Sequence, residues 1–340
     1  MMHQVNKHTS VKLGLHMSPP NQNAAQIGRA AWAEDNGFDS LWIPDGLGRM
    51  DAFTMAAGIA PQTRDIRLCL GIVPVFTRPA AVIATSAMTM THLAPGRFVL
   101  GLGASSHTMV ESWYGTPFTK PLTRVRETTE LVRMVLAGER TNFTGKTIQS
   151  HNFRLGMAPQ SQVPIHLAAL RPKMLELAGE IADGVILNLV PLELLPRMLE
   201  HIDTGAKRSG RRVEDLEIAV YLYAFATDDV QAAQRDMAGI AAGYFSTPVY
   251  SDFLKWMGYS REAELILEGF KQRDRSKTLG AFTPEVLHKL AIIGDAQHCW
   301  DGLKAYSDAG ASVAVVAAAA SDPVAYENTL NTLARPVTDT

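Results

Sequence analysis

The stretch RFVLGLGASSHTMVESWYG, residues 97–115, begins as an uninterrupted apolar strand and then opens into glycine, serine and histidine. A strand that is apolar on both faces is typical of a parallel sheet that is covered on both sides. In barrels built from such sheets, the functional groups lie where the strands end. The stretch therefore predicts a parallel α/β fold whose site begins near Ala104.

Eight short apolar, β-branched runs of this kind alternate with longer helical patterns along the chain. Repeated strand–helix units indicate a parallel sheet, and eight of them predict a closed (β/α)8 TIM barrel. The predicted strands are 11–17, 40–45, 66–74, 97–104, 164–169, 184–189, 216–226 and 312–318, and the predicted helices are 24–36, 52–62, 79–93, 122–136, 172–181, 192–209, 296–309 and 323–333.

Two stretches do not fit the repeat. Residues 138–162 have the pattern of a short hairpin, and residues 227–291 form a long insertion after the seventh strand that is helical by periodicity and rich in aromatic residues. Loops of that size are usually functional lids or mobile segments, although a subunit-packing surface is equally compatible. Because the pattern is otherwise continuous, residues 1–340 are assigned to a single domain.

Bulk properties describe an ordinary globular chain. Hydrophobic residues make up 46% of its 340 positions, and 32 basic residues nearly balance 34 acidic ones, which argues against a nucleic-acid partner. Cys69 and Cys299 provide no disulfide framework and no CxxC site, so both are expected to be packed thiols. The first ten residues lack the apolar core of a signal peptide, and the longest apolar run, 312–320, is too short to span a membrane. We expect a cytoplasmic protein without a membrane partner.

The predicted strand ends supply small, uncharged residues at the mouth of the barrel. Such a lining suits a flat cofactor with an anionic tail whose ring lies close to the backbone. After the fourth strand, the hydroxyls of Ser105 and Ser106 and the neighbouring main-chain N–H groups are candidate donors to an anion.

Other chemistries lack their motifs. The ten histidines are scattered without HxH or HExxH spacing, so no metal site is predicted, and no GxSxG motif indicates a serine nucleophile. We therefore expect a bound cofactor to carry the difficult chemical step.

Four stretches resemble the luciferase-like superfamily and, within it, the deazaflavin (coenzyme F420)-dependent oxidoreductases common in actinobacteria. They cover nearly the whole predicted barrel. These stretches are LGLHM (13–17), AAWAEDNGFDSLWIPD (30–45), LGIVPVFTRPAAVIATSAMTMTHLAPGRFVLGLGASSHTMVESWYG (70–115) and PIHLAALRPKMLELAGEIADGVILN (164–188).

The resemblance implies where the cofactor binds. In similar proteins a non-prolyl cis peptide after the third strand, here Gly71–Ile72, forms a bulge that backs the cofactor ring. Asp45 matches an acidic residue on the substrate side of the ring, and Arg171, before the helix that opens at Pro172, would bring positive charge to the phosphate. The implied cofactor-binding residues are Asp45, Gly71, Ile72, Val73, Gly103, Ala104, Ser105, Ser106, Ala168, Ala169, Leu170 and Arg171.

The resemblance also implies an activity. We expect a hydride to pass between C5 of the deazaflavin and a carbonyl, alcohol, imine or activated alkene held beneath the 227–291 insertion. His107 or Asp45 would move the accompanying proton, with His16 the next candidate, because an imidazole titrates near neutral pH. Alternatively, His107 is only a hydrogen-bonding ligand of the cofactor, and Asp45 is only a helix N-cap.

The chain departs from the family pattern at two positions, and this limits the class of substrate. Relatives that oxidise glucose 6-phosphate carry histidine and glutamate where this chain has Gly46 and Ser106, which argues against a sugar-phosphate dehydrogenase.

The main alternative function is a two-component monooxygenase that uses reduced FMN and oxygen, since the same barrel serves both cofactors. A cofactor-binding module without activity is the third. A homodimer is expected from the resemblance and from the apolar flanks of the barrel.

Overall fold

The predicted strands all form. The computed structural model describes residues 11–17, 26–46 and 50–334. Within them the strands are β1 (Leu13–His16), β2 (Ser40–Ile43), β3 (Arg67–Pro74), β4 (Phe98–Gly103), β5 (Asn142–Thr144), β6 (Gln149–His151), β7 (Ile165–Ala168), β8 (Gly184–Asn188), β9 (Glu217–Ala226), β10 (Ala291–Gly294) and β11 (Val313–Ala318).

Eight of these strands close into a parallel barrel. The pairing runs from β1 through β2, β3, β4, β7, β8 and β9 to β11, and β11 pairs with β1. Each barrel strand corresponds to one predicted strand, which confirms the (β/α)8 TIM barrel. Strands β5 and β6 form an antiparallel hairpin within residues 138–162, as the sequence predicts.

Helices follow the barrel strands. Helices α5 and α13 begin and end at the predicted residues, whereas the predicted start of the first helix, Ala24, lies outside the described residues. No described helix is both long enough and apolar enough to cross a bilayer. The helices are α1 (Gln26–Asp35), α2 (Ala52–Ile59), α3 (Ala80–Leu93), α4 (Pro121–Leu136), α5 (Pro172–Ile181), α6 (Leu195–Arg208), α7 (Val230–Phe245), α8 (Pro248–Trp256), α9 (Ser260–Gln272), α10 (Arg275–Gly280), α11 (Pro284–Leu290), α12 (Ala296–Asp308) and α13 (Pro323–Leu333).

The insertion after the seventh barrel strand is helical, as predicted, and contains α7 to α11. Its predicted last residue, Ala291, is instead the first residue of β10, a strand that the sequence reading missed. Strand β10 pairs in parallel with the carboxyl-terminal half of β9, on the edge that β8 leaves free beyond Asn188. The insertion thus returns to the strand from which it starts.

Side chains on the two faces of the barrel strands form two apolar clusters. One lies between the barrel and the helices; the other fills the barrel interior, because neighbouring side chains on a strand point to opposite faces. Trp42, inside the barrel, is fully buried and donates from its indole nitrogen to Ser40 Oγ at 3.0 Å. Cys69 and Cys299 are buried and unpaired, which confirms the prediction of packed thiols.

A charged group is buried at the amino-terminal end of the barrel interior. Arg67 makes two hydrogen bonds to the Glu217 carboxylate, at 2.7 and 2.8 Å, and His166 Nε2 lies 3.9 Å from the same carboxylate. Burial lowers the pKa of His166 to about 4, and the charge of Glu217 offsets only part of this effect. The imidazole is therefore neutral in the folded protein at neutral pH.

This neutral histidine predicts an acid-sensitive fold. The pKa of His166 is about 4 when folded and near the ordinary imidazole value of 6.5 when unfolded, so the unfolded chain binds the extra proton as pH falls from 6.5 towards 4. This difference in proton binding lowers the free energy of unfolding at pH 4.5 by about 2 kcal/mol relative to pH 7. Urea unfolding at pH 7 and pH 4.5 should show this loss in the wild type and a smaller one in His166→Gln. The control His151→Gln, on the exposed strand β6, should behave as wild type; equal acid sensitivity of all three proteins would contradict the assignment.

Candidate active site

The third barrel strand changes course before it ends. The peptide bond Gly71–Ile72 is cis, as the resemblance implies, and the register between β3 and β4 shifts between Leu70 and Val73. From the opposite side of the barrel, Tyr221 donates a hydrogen bond from its hydroxyl to Gly71 O at 3.2 Å. The bulge is therefore in contact with the barrel interior.

The bulge requires glycine, and small residues from three strands meet beside it. A Cβ atom at Gly71 would lie 1.9 Å from the Tyr221 hydroxyl, so any side chain there would displace that ring. A Cβ atom at Gly103 would lie 3.0 Å from Ile72 and 3.2 Å from the Cβ of Ala168. Three of the predicted cofactor residues, Ile72, Gly103 and Ala168, are thus brought together in one uncharged surface, which we call the wall.

The turn after β4 is shaped by its two serines. Ser105 has a left-handed backbone, with φ of 64°, and Ser106 Oγ accepts a hydrogen bond from the backbone N–H of Met109 at 3.3 Å. The Ser105 hydroxyl faces the sulfur of the same methionine at 3.4 Å. A π-helical turn, Thr108–Trp113, follows. Both hydroxyls are therefore held at the rim of the barrel, at the start of this turn.

His107 lies on the outer edge of the same turn. Its Nε2 is 2.8 Å from a carboxylate oxygen of Glu111, one turn further along, and its side chain is 53% exposed. The other oxygen of Glu111 accepts from the backbone N–H of Phe118 at 2.8 Å, which fixes the carboxylate in place. Glu111 is a site residue that the sequence reading missed, although its i,i+4 spacing from His107 was a usable signal.

Asp45 is held in a buried ion pair at the end of β2. Its side chain is 6% exposed and accepts hydrogen bonds from the guanidinium of Arg78 and, at 3.2 Å, from the backbone N–H of Ala52. Arg78 also pairs with Asp51, which is the residue that caps α2 through the N–H of Thr54. Burial alone would lower the pKa of Arg78, but hydrogen bonds and charge from the two carboxylates raise it.

His16, the last residue of β1, faces the barrel interior beside Tyr221. Its ring centroid lies 4.9 Å from that of Tyr221, with a tilt of 56° between the planes. Tyr221 in turn contacts Trp42 edge-on at 5.9 Å. His16 is therefore linked to the bulge through the tyrosine that bonds Gly71.

Arg171 immediately precedes α5, as the sequence predicts, but it already has a partner. Its guanidinium donates to Asp252 of α8 at 2.8 Å, and both side chains are about half exposed. This ion pair joins the loop after β7 to the insertion. An anionic ligand at the start of α5 would meet an arginine whose charge is partly balanced.

The insertion also reaches the barrel mouth through tyrosines. Asn188, the last residue of β8, donates from its amide nitrogen to the Tyr250 hydroxyl at 3.0 Å, and Tyr223 of β9 donates to the Tyr244 hydroxyl at 3.2 Å. The rings of Tyr244 and Tyr250 are 4.8 Å apart. These contacts join residues that are 62 and 21 positions apart, so no local pattern could have revealed them.

The Asp45–Arg78 pair generates a stability prediction. Arg78→Met leaves the nearly buried carboxylate of Asp45 without its partner and should lower the free energy of unfolding by about 2 kcal/mol or more. Arg64→Met is the matched control, because Arg64 pairs with Asp35 at 3.7 Å with both side chains largely exposed, and it should cost less than about 0.5 kcal/mol. Denaturant unfolding measures both values; equal losses would show that burial does not distinguish the two pairs.

Comparisons with known proteins identify relatives of this chain. The family model of luciferase-like monooxygenases matches residues 8–312. A Mycobacterium tuberculosis protein is 31% identical over 92% of this chain and 97% of its own length. Its name describes it, as a provisional assignment, as a coenzyme F420-dependent oxidoreductase. The 5,10-methylenetetrahydromethanopterin reductase of Methanolobus tindarius is 29% identical over 79% of this chain and 82% of its own.

Solved structures agree on the fold. The coenzyme F420-dependent tetrahydromethanopterin reductase of Methanopyrus kandleri superposes with a TM-score of 0.81 over 96% of this chain and 98% of its own, at 24% sequence identity. The match of the family model to most of the chain, together with a relative above 30% identity, identifies the family. The protein is an enzyme of the luciferase-like monooxygenase family, as the resemblance predicted.

Proposed function

We propose that this protein transfers a hydride between coenzyme F420 and an organic substrate. The observation that carries the proposal is the uncharged wall formed by Ile72, Gly103 and Ala168 beside the bulge. A planar heterocycle can lie against such a wall, where a longer side chain would exclude it. The name of the Mycobacterium tuberculosis relative above supports F420 as that heterocycle.

Residues around the wall fit the rest of such a cofactor. Val73, Ala104, Ala169 and Leu170 add small or apolar neighbours, while Ser105, Ser106 and Arg171 are the donors for a phosphate. When bound, the deazaflavin would supply or accept the hydride at its C5. Because this position is a carbon, the cofactor works by hydride transfer alone, and this separates the proposed function from an oxygen-dependent FMN reaction.

The proton that accompanies the hydride is assigned to His107. Its Nε2 is paired with Glu111 at 2.8 Å on an accessible turn, so the imidazole can gain and lose a proton while the carboxylate holds its orientation. Asp45 is already bonded to Arg78 and to the start of α2, which suits a fixed negative charge better than proton transfer. His16 is assigned a supporting role, behind the bulge with Tyr221.

The substrate is proposed to be a carbonyl, alcohol, imine or activated alkene that binds between the wall and the insertion. Support comes from α8, whose Tyr250 contacts Asn188 at the barrel mouth.

We keep residues 1–340 as one domain and propose a cytoplasmic location, with which the two unpaired cysteines are compatible.

The cofactor test is a titration of cofactor-free protein. Oxidised F420 should bind with micromolar affinity, measured by quenching of its fluorescence, and reduced FMN should bind at least tenfold more weakly without oxygen uptake. Tight binding of reduced FMN with oxygen uptake would replace the proposal by the monooxygenase alternative.

The role of His107 is tested with the same cofactor. His107→Ala should slow hydride exchange at least tenfold, within the range that general acid–base groups contribute, and change F420 affinity less than twofold. His151→Ala, on the remote β6, is the matched control and should match wild type. If His107→Ala loses binding instead of rate, His107 is a cofactor ligand.

We also propose a homodimer that forms through α3. The exposed face of this helix has no Asp, Glu, Lys or Arg and presents Val82 and Leu93, which are 48% and 45% exposed. An uncharged helix face with exposed aliphatic side chains is typical of a subunit contact.

This dimer predicts a sharp effect of one surface charge. Thr89→Arg places a cation on the exposed face of α3 and should halve the mass measured by light scattering after size exclusion. Thr204→Arg is the matched control, because Thr89 and Thr204 are both exposed helix residues that donate to the carbonyl four positions back. A wild type that elutes as a monomer, or a Thr89→Arg dimer, would contradict the proposal.

A further inference from the structure

An unpartnered polar atom lies at the mouth of the barrel. Asn188 is the register neighbour of Tyr221, so both side chains point to the barrel interior. The Asn188 amide nitrogen donates to Tyr250, whereas its amide oxygen is buried and has no hydrogen-bond partner among the described residues. Buried acceptors are normally satisfied, so an orphan at the end of a barrel strand calls for a ligand.

The hydroxyl groups of Tyr244 and Tyr250 lie beside this amide. We call the polar cluster of Asn188, Tyr244 and Tyr250 the recess. Tyr250 accepts from Asn188, and Tyr244 accepts from Tyr223. In the described part of the chain, neither of the accepting hydroxyls has an acceptor for its own proton. The recess therefore offers two O–H donors close to one C=O acceptor.

Among the described residues, the recess is uncharged. None of its hydrogen bonds there involves a charged side chain, and the neighbouring Arg171 and Asp252 are paired with each other. Burial raises the pKa of Tyr250, so its hydroxyl stays protonated over the physiological range. A charged ligand group would lose its hydration here and meet no opposite charge.

We propose that the recess of Asn188, Tyr244 and Tyr250 recognises a hydroxyl group of an uncharged substrate, an inference that rests on the hydride-transfer function proposed above. A hydroxyl oxygen accepts from a tyrosine O–H and donates its own proton to Asn188 Oδ1, so one group satisfies both needs. A ketone can only accept and leaves Asn188 unsatisfied. A carboxylate or phosphate would set negative oxygens against the Asn188 carbonyl.

The recess lies next to the proposed cofactor wall. Tyr221, beside Asn188 in the sheet, donates to Gly71 O at the bulge. The barrel supplies Asn188, and the insertion supplies Tyr244 and Tyr250. The three side chains are thus specificity-determining residues, and the insertion provides most of the recognition.

The test uses purified full-length protein, with and without F420, and two ring probes of similar size. Cyclohexanol should bind in ligand-detected NMR titrations, and cyclohexanecarboxylate should bind at least tenfold more weakly. Asn188→Leu and Tyr250→Phe should each weaken cyclohexanol binding about five- to tenfold, as expected for the loss of one hydrogen bond. The matched control is Tyr259→Phe, because Tyr259 belongs to the same insertion but faces Lys289, and it should bind as wild type.

A second readout separates recognition from structure. Asn188→Leu removes the orphan oxygen but also the N–H that donates to Tyr250, so the two effects on the fold oppose each other and its Tm should stay close to that of the wild type. Failure of cyclohexanol to bind, equal binding by the variants, tighter binding of the carboxylate, or loss of the folded state in Asn188→Leu would each overturn the inference. The proposed function is tested separately by titration of the wild type with F420. F420 can bind when cyclohexanol does not, and cyclohexanol can bind when F420 does not, so the two proposals can fail independently.

Discussion

The close approach of backbone and side chain at the bulge of β3 determines the rest of the site. At Gly71 the Tyr221 hydroxyl occupies the space of a Cβ atom, and at Gly101 a Cβ atom would lie 2.0 Å from Leu70 O. Only glycine allows both contacts. These close contacts lie where the register between β3 and β4 shifts, and the wall beside the bulge consists of uncharged, apolar residues.

Much of the fold could be read from the sequence, since each barrel strand is a buried apolar run between helices with their own end signals. Strand β10 could not, because its four apolar residues directly follow α11 and look like the end of that helix. Its pairing partner, β9, had already been counted as a barrel strand. Short strands at the end of an insertion are defined by tertiary pairing and not by local pattern.

The site divides in the same way. Residues near the ends of strands, such as Ile72, Gly103 and Ala168, were predicted from the family resemblance, and the barrel places them where a site is expected. Partners that come from other elements were not: Arg78 for Asp45, Asp252 for Arg171 and Tyr250 for Asn188. These partners change the chemistry, because they make Asp45 a bonded carboxylate, whereas His107 lies on an accessible turn and is paired with Glu111.

The two ends of the insertion meet. The backbone N–H of Thr227, just after β9, donates to Gly294 O, the last residue of β10, at 2.8 Å. Exchange or resizing of a segment between neighbouring anchor points perturbs the surrounding scaffold little. Replacement of the helical insertion at this point during evolution could therefore change the substrate range of the enzyme while the barrel stays the same.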